Sequence, residues 1–203
     1  MTWGSPILKG ICVSVLKRVI AAASMMLLAG AAEAKDLSAE CTARDESSCL
    51  VSMVLAYYAN QTYGIDIGVD ERRVEELSVL RLASNRLSLA VVKPQTFEML
   101  ETGGGVFRAT PALAGKAAKK LRALFGYEDD QGRPTTIAVN DEMGYALAYN
   151  ITAAFWNNLP AIRREVAELN GDMPPFVGLN MPLHPGALYY FESNGFEVPD
   201  GLK

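Results

Sequence analysis

The stretch PLHPGALYYFESNG, residues 182–195, contains the only histidine of the chain, His184. A zinc site built from protein side chains needs several ligands at close spacing, whereas the cysteines lie far upstream. The sequence also lacks a catalytic serine signature such as G-x-S-x-G. Pro185 suits the first turn of a helix, and Gly186 would let another backbone approach closely. The stretch therefore predicts a short final helix entered through a hydrogen-bonding His184, rather than a catalytic or metal-binding histidine.

The N-terminus has the pattern of a secretory signal peptide. Lys9, Lys17 and Arg18 precede an apolar run over residues 19–34, which ends in the small-x-small sequence Ala-Glu-Ala. The run is shorter than a typical membrane span, and no comparable run follows it. We therefore expect residues 1–34 to be removed and residues 35–203 to be exported, not embedded in the membrane.

The expected mature chain is acidic. Removing residues 1–34 takes three basic residues and one acidic residue from totals of 19 and 23, which leaves 16 and 22, a formal charge of −6. A negative surface argues against nucleic acid and against an anionic membrane as partners. The remaining length fits one domain, since domains usually have about 100–200 residues.

Two cysteines, Cys41 and Cys49, remain in the expected mature chain, and they stand eight positions apart. In an exported protein such an even pair predicts a disulfide. The bond would tie the mature N-terminus to the start of the first helix. The alternative is two free thiols, with Cys49 buried on a helix.

Strand and helix patterns alternate in the first half of the expected mature chain. This alternation favours an α/β unit with parallel strands. The glycine run at residues 103–105 lacks the Gly-Lys-Ser/Thr of a Walker loop and is more typical of a helix end. The predicted elements are a helix over residues 47–64, a strand over 65–69, a helix beginning near a capping Asp70, a strand over 87–92, and a short helix entered through Pro94.

The second half of the chain is predicted to be mainly helical. Residues 110–126 favour a helix, but a strand over 120–126 stays open. A polar linker over residues 127–135 leads to a candidate strand over 135–139. Two amphipathic helices follow, the first capped by Asp141 and the second running from Pro160 to Gly171.

Three basic residues form a candidate anion site. Arg72 and Arg73 are predicted in the first turn of a helix that follows a strand, and Lys93 at the exit of the next strand. Parallel strand ends meet at one edge of a sheet, where ligands usually bind, and helix N-terminal amides favour anions. The alternative is a solvated basic turn, because glutamates at positions 71, 75 and 76 surround the arginines.

Two blocks of the sequence resemble the TAXI family, the periplasmic solute receptors of TRAP transporters. Residues 145–163, YALAYNITAAFWNNLPAIR, are followed by an ending similar to the family pattern P-x-H-P-G-A-x-x-Y-x-x-E-x-G. Residues 54–107 resemble, more weakly, the first part of the receptor's N-terminal lobe. The matching positions of the ending are Pro182, His184, Pro185, Gly186, Ala187, Tyr190 and Gly195, with Glu192 displaced by one position.

The chain departs from the family in three places. A glycine-rich turn with a tyrosine pair precedes the family's first helix, whereas residues 46–49 here are Glu-Ser-Ser-Cys. The family's next ligand loop has a Gly-Ser-x-x-Asn pattern, whereas residues 72–76 are Arg-Arg-Val-Glu-Glu. Between Tyr127 and Thr136, where the family places its whole second lobe, this chain has only the polar linker.

The resemblance implies an α/β fold: a single lobe of a periplasmic-binding-protein-like fold with a C-terminal helical segment. Residues 35–127 would be its α/β part and residues 135–203 its helical part. The implied function is a TRAP solute-binding component for small carboxylates, with TRAP membrane subunits as partners and no enzymatic activity, metal or cofactor. The alternative is a non-transport envelope protein that acts by protein contact, for example as a homodimer. The implied substrate-binding residues are Arg72, Arg73, Glu76 and Lys93.

Overall fold

A computed structural model describes most of the expected mature chain. The predicted signal peptide, Arg73 and the end of the helix predicted up to Gly171 lie outside the described residues. Asp36–Lys203 forms one compact unit. The described ranges are residues 37–42, 46–72, 74–128, 132–165 and 174–203.

The described residues form one mixed five-stranded sheet. Its strands are β1 (Leu37–Thr42), β2 (Ile67–Arg72), β3 (Leu89–Val92), β4 (Leu121–Glu128) and β5 (Pro134–Asn140). Their order across the sheet is β2-β1-β3-β5-β4. β1 pairs in parallel with β2 and β3, whereas β5 pairs antiparallel with β3 and β4. The carboxyl ends of β1, β2 and β3 therefore meet at one edge, as the sequence predicts.

Helices connect and flank these strands, and the class is α/β. Helix α1 ends before Gly64, and α3 ends at Gly103, whose φ of 66° gives it the left-handed conformation of a helix C-cap. The helices in the described ranges are α1 (Glu46–Tyr63), α2 (Glu75–Ala83), α3 (Pro94–Thr102), α4 (Pro111–Ala118), α5 (Tyr145–Asn157), α6 (Leu159–Glu165) and α7 (Pro185–Ser193), with 3₁₀ turns at Gly105–Ala109 and Asp200–Leu202.

Two predicted helix starts were wrong. Asp70 does not cap α2 but lies within β2, because the strand pairs with β1 up to the contact of Thr42 with Arg72. Asp141 does not cap α5, which has Gly144 at its N-cap. The helices begin at Glu75 and Tyr145, five and four residues after the predicted caps.

The C-terminal segment covers the outer edge of β4. The backbone N–H of Ala123 donates to the carbonyl of Pro182 at 2.9 Å, and the N–H of His184 donates to the carbonyl of Ala123 at 2.8 Å. Phe125 of β4 stacks on Phe155 of α5 with a centroid distance of 4.6 Å. The C-terminal helices are thus packed onto the sheet.

The segment predicted as mainly helical begins with the candidate strand over residues 135–139, which is present as β5. β5 lies between β3 and β4, and it follows β4 after a short connection over residues 129–133. The strand over 120–126, left open by the sequence, is present as β4. A single lobe results, with no second lobe inserted at this connection. In the part of the chain that the structure describes, no helix is long and apolar enough to cross a membrane.

Candidate functional site

The structure places the predicted site residues at neighbouring strand ends. Arg72 is the last residue of β2, so its predicted position in the first turn of a helix was wrong. Lys93 directly follows β3 and is the N-cap of α3. Glu76 lies in the first turn of α2. Arg73 lies outside the described residues.

A buried glutamate, Glu40 of β1, is the centre of this edge. Its Oε1 accepts a hydrogen bond from Arg72 Nε at 3.2 Å and another from Nη1 of Arg81. Its Oε2 accepts a 2.7 Å hydrogen bond from the Ser78 hydroxyl. Residues 37–42 alternate apolar and polar side chains as a strand does, but sequence analysis missed this group because the partners of Glu40 lie 32 to 41 positions away in the chain. We call Glu40, Arg72, Ser78 and Arg81 the Glu40 cluster.

The charges of the Glu40 cluster do not cancel. One carboxylate, 2% exposed as a residue, faces two guanidinium groups. Burial of a carboxylate is costly unless it is paired, and these partners offset that cost. The side chains of Arg72 and Arg81 are still 50% and 40% exposed. They therefore present N–H groups to solvent while Glu40 holds their orientation.

A cleft of about 430 Å³ opens on this cluster. Arg72 and Arg81 line it together with the exposed apolar side chains of Val74 and Leu77. Glu71 adds a negative charge at the same cleft. The cleft can therefore offer cations to an anionic group and an apolar wall to the rest of a small molecule.

Glu75 and Lys93 form a second contact at this edge. The backbone N–H of Lys93 donates to Glu75 Oε1 at 2.7 Å. Burial raises the pKa of the Glu75 carboxyl, although the Lys93 N–H and the lysine charge act in the opposite direction. Lys93 and Glu76 are not among the residues that line the described cleft. Arg72 is thus the predicted residue that the structure brings to the cleft, and Arg81 is its unpredicted partner.

His184 is the N-cap of α7, as the sequence predicts. Its Nδ1 accepts a 3.1 Å hydrogen bond from the backbone N–H of Gly186, and its Nε2 lies 2.9 Å from the carbonyl oxygen of Met143. Nδ1 is therefore the unprotonated nitrogen and Nε2–H the donor, since each nitrogen must match its partner. Burial lowers the pKa of the imidazole. The side chain joins the start of α7 to the segment before α5.

The predicted Cys41–Cys49 disulfide is confirmed. It joins β1 to α1 with a Cα–Cα distance of 4.9 Å. Cys41 directly follows Glu40, so the bond fixes the strand next to the Glu40 cluster. The Ser48 hydroxyl adds to this junction by accepting the backbone N–H of Thr42 at 3.2 Å.

Within the described ranges, no group of three or more His, Cys, Asp or Glu side chains is placed to hold a metal ion. A scan of the sequence against protein-family models gives no match. A search of curated proteins gives no match either. Any functional assignment therefore depends on the site geometry and on the residues of the C-terminal ending.

Proposed function

We propose that this chain is a TAXI-type solute-binding protein of the periplasm that binds small carboxylates weakly and works with TRAP membrane subunits. The observation that carries the proposal is the convergence of Arg72 and Arg81 on Glu40 beside an open cleft. The proposal involves no enzymatic step. The resemblance of residues 182–195 to the TAXI ending supports the family part of the proposal.

The Glu40 cluster would hold a carboxylate through its two arginines. Glu40 uses Nε of Arg72 and Nη1 of Arg81, and Asp70 lies 3.9 Å from Arg72 Nη2, so Nη1 of Arg72 and the other N–H groups of Arg81 remain for a solute. Hydrogen bonds between guanidinium and carboxylate are charge-assisted and about twice as strong as neutral ones. Val74 and Leu77 would contact the carbon chain of the solute. Glu40 acts as a positioning residue because it orients the arginines and leaves the solute to them.

Weak affinity follows from the exposure of the same arginines. An exposed ion pair contributes only about 0–1 kcal/mol, and Glu71 repels an anion in the cleft. A two-lobed receptor gains affinity for its closed state from contacts on both sides of the solute. One lobe leaves the solute half solvated. We therefore expect a dissociation constant near the millimolar range, about −4 kcal/mol.

Calorimetric titration of the purified protein with glutamate, 2-oxoglutarate and succinate tests this function. The Arg81→Gln variant should bind about three- to fivefold more weakly, because it removes one of the two cations at the cleft and an exposed ion pair is worth at most about 1 kcal/mol. The Arg81→Lys variant keeps a charge near Glu40 and checks that any loss is not caused by unfolding. Lys120→Gln is the matched control, since Lys120 pairs with Glu142 at 3.0 Å and does not line the cleft.

Three outcomes would count against the proposal. Absence of binding by all three acids at tens of millimolar would remove the carboxylate function. Unchanged binding in Arg81→Gln would show that the site is elsewhere. Micromolar affinity of the monomer would show that a single lobe captures solute better than the exposure of its arginines implies.

The same cleft favours a second candidate function, a non-transport contact protein of the envelope. Val74 and Leu77 are 44% and 59% exposed, and they lie beside charges of both signs, Glu71 and Arg81. Such a patch can pair with itself across a two-fold axis, since acid and base then face each other. The partner would be a second copy of this chain. Light scattering should show a dimer, and the Leu77→Asp variant should be a monomer. A wild-type protein that is monomeric at all concentrations would exclude this second function.

A further inference from the structure

A larger cleft, of about 620 Å³, lies between α3, α4 and the start of β4. It does not share its lining residues with the cleft at the Glu40 cluster. We propose that this second cleft binds a small molecule that carries a phosphate group. Its charged lining residues are Glu101, Lys116, Lys119 and Arg122.

The charge of the second cleft is opposite to that of the expected mature chain. Three cations and one carboxylate line the cleft, and only Arg122 has a further acidic partner, Asp141, at 4.0 Å, whereas the chain as a whole is acidic. Among the described residues, neither Lys116 nor Lys119 forms an ion pair, and both are exposed. The adjacent Lys120, in contrast, pairs with Glu142 at 3.0 Å. The uncompensated lysines are thus those that line the cleft.

Arg122 is held in position without a ligand. Its Nη1 donates to the backbone carbonyls of Lys119 and Leu121 at 2.8 and 2.7 Å. Its side chain is 27% exposed, and its Nη2 lies 4.0 Å from Asp141. A cation fixed by backbone carbonyls loses little conformational entropy when an anion binds, which favours binding.

Gly115 leaves the wall of the second cleft open. It lies inside α4, where glycine destabilises a helix relative to alanine. Packing does not require glycine here, since an added Cβ would meet only the carbonyl oxygen of Glu101 at an ordinary 3.7 Å. An unneeded glycine in the lining of a basic cleft is consistent with space kept for a ligand.

The donor set favours phosphate over carboxylate. Lysine ammonium groups act as point charges that suit the several equivalent oxygens of a phosphate. Arg122 has its Nη1 hydrogens engaged by carbonyls, so the terminal fork that grips a carboxylate is not available. The cleft is larger than a phosphate ion, and Phe97 and Pro182 give it an apolar part. An organic phosphomonoester fits this combination.

Titration with glycerol phosphate, inorganic phosphate and succinate, followed by calorimetry, tests the proposal. We expect glycerol phosphate to bind and succinate, with a similar charge, to bind at least tenfold more weakly. Lys116→Gln with Lys119→Gln should weaken glycerol phosphate binding at least tenfold, and the matching arginine pair should retain it. Glu101→Gln should tighten binding severalfold because it removes the carboxylate that lines the cleft.

Three further variants separate this cleft from its surroundings. Gly115→Val should abolish binding by filling the cleft. Lys120→Gln and Arg81→Gln should leave phosphate binding unchanged, because they change charges outside the second cleft. Equal binding of inorganic phosphate and glycerol phosphate would contradict an organic phosphate ligand and assign the site to free phosphate. The proposal would be overturned if no phosphate compound bound, or if succinate bound tightly. It would also be overturned if Lys120→Gln weakened glycerol phosphate binding as much as the double lysine variant, or if Glu101→Gln did not tighten it.

Discussion

The carboxylate of Glu75 accepts a 2.7 Å hydrogen bond from the backbone N–H of Lys93. This contact joins the first turn of α2 to the N-terminus of α3, where the free amides of a helix favour anions. A side chain of the protein itself therefore occupies the anion position at the end of β3. A solute at this edge of the sheet would meet the arginines of the Glu40 cluster instead.

The pH dependence of stability should report on Glu75. Burial raises the pKa of this carboxyl above its usual value of 4.5, so the folded state binds the proton more tightly than the unfolded chain. Between 4.5 and the raised pKa the folded state holds more protons, and the contribution of Glu75 to stability falls as the pH rises. Glu75→Gln keeps an acceptor for the Lys93 N–H but does not titrate. Urea unfolding should show this variant gaining stability relative to wild type from pH 4 to 7. Glu98→Gln, at an exposed position, is the control. Equal slopes of unfolding free energy against pH for wild type and Glu75→Gln would contradict the prediction.

Replacement of Glu40 should lower the free energy of unfolding more than replacement of its exposed neighbour Asp70. Glu40→Gln removes the charge that Arg72 and Arg81 share and leaves their guanidinium groups together. Because both arginines are partly exposed, we expect a loss of about 1–3 kcal/mol rather than the larger value of a fully buried pair. Asp70→Asn, at 3.9 Å from Arg72 and well exposed, should change stability by less than about 0.5 kcal/mol. Denaturant unfolding that ranks the two variants in the reverse order would refute this role of Glu40.

The features predicted from the sequence are those decided by near neighbours. The entry of α7 follows from His184, Pro185 and Gly186, and the disulfide follows from two cysteines in an expected exported chain. The extension of β2 past Val69 depends on its pairing with β1, a contact between residues about 30 positions apart. Glu40 was missed for the same reason, since its partners lie 32, 38 and 41 positions away. Such contacts exist only once the chain has folded.

His184 should make folding less stable at mildly acidic pH. Burial lowers the imidazole pKa below 6.5, so the unfolded chain binds a proton at a higher pH than the folded state. Stability should therefore fall as the pH falls from about 6.5 through the lowered pKa. His184→Asn can still cap the Gly186 N–H but loses the contact with Met143, at a pH-independent cost of about 1 kcal/mol. A thermal unfolding series from pH 7.5 to 5 should show a flatter profile for the variant, and parallel profiles would argue against a neutral buried His184.

Reduction of the disulfide should lower stability by about 2.5 kcal/mol. The bond closes a loop over a separation of eight residues, and loop-closure entropy of the unfolded chain gives this magnitude. Guanidinium unfolding with and without reductant measures the difference, and the Cys41→Ser, Cys49→Ser double variant should match the reduced protein. Thiol counting on the denatured exported protein should find no free thiol. Two reactive thiols in that count would contradict the bond.

A side chain at position 186 should destabilise the protein, because α7 and α5 meet at the Gly186 α-carbon. An added Cβ would contact the carbonyl of Tyr145, lie 2.9 Å from the backbone N of Tyr149 and lie 3.1 Å from Ala148 Cβ. Two of these atoms belong to the α5 backbone and cannot move without shifting the helix, so Gly186→Ala should cost about 1–3 kcal/mol. Gly201→Ala is the matched control, since no atom lies within 4 Å of its added Cβ. Alanine is the better helix former, so a purely local effect would make Gly186→Ala stabilising. Denaturant unfolding that shows such a gain would mean that α7 packs less closely on α5 than these distances require.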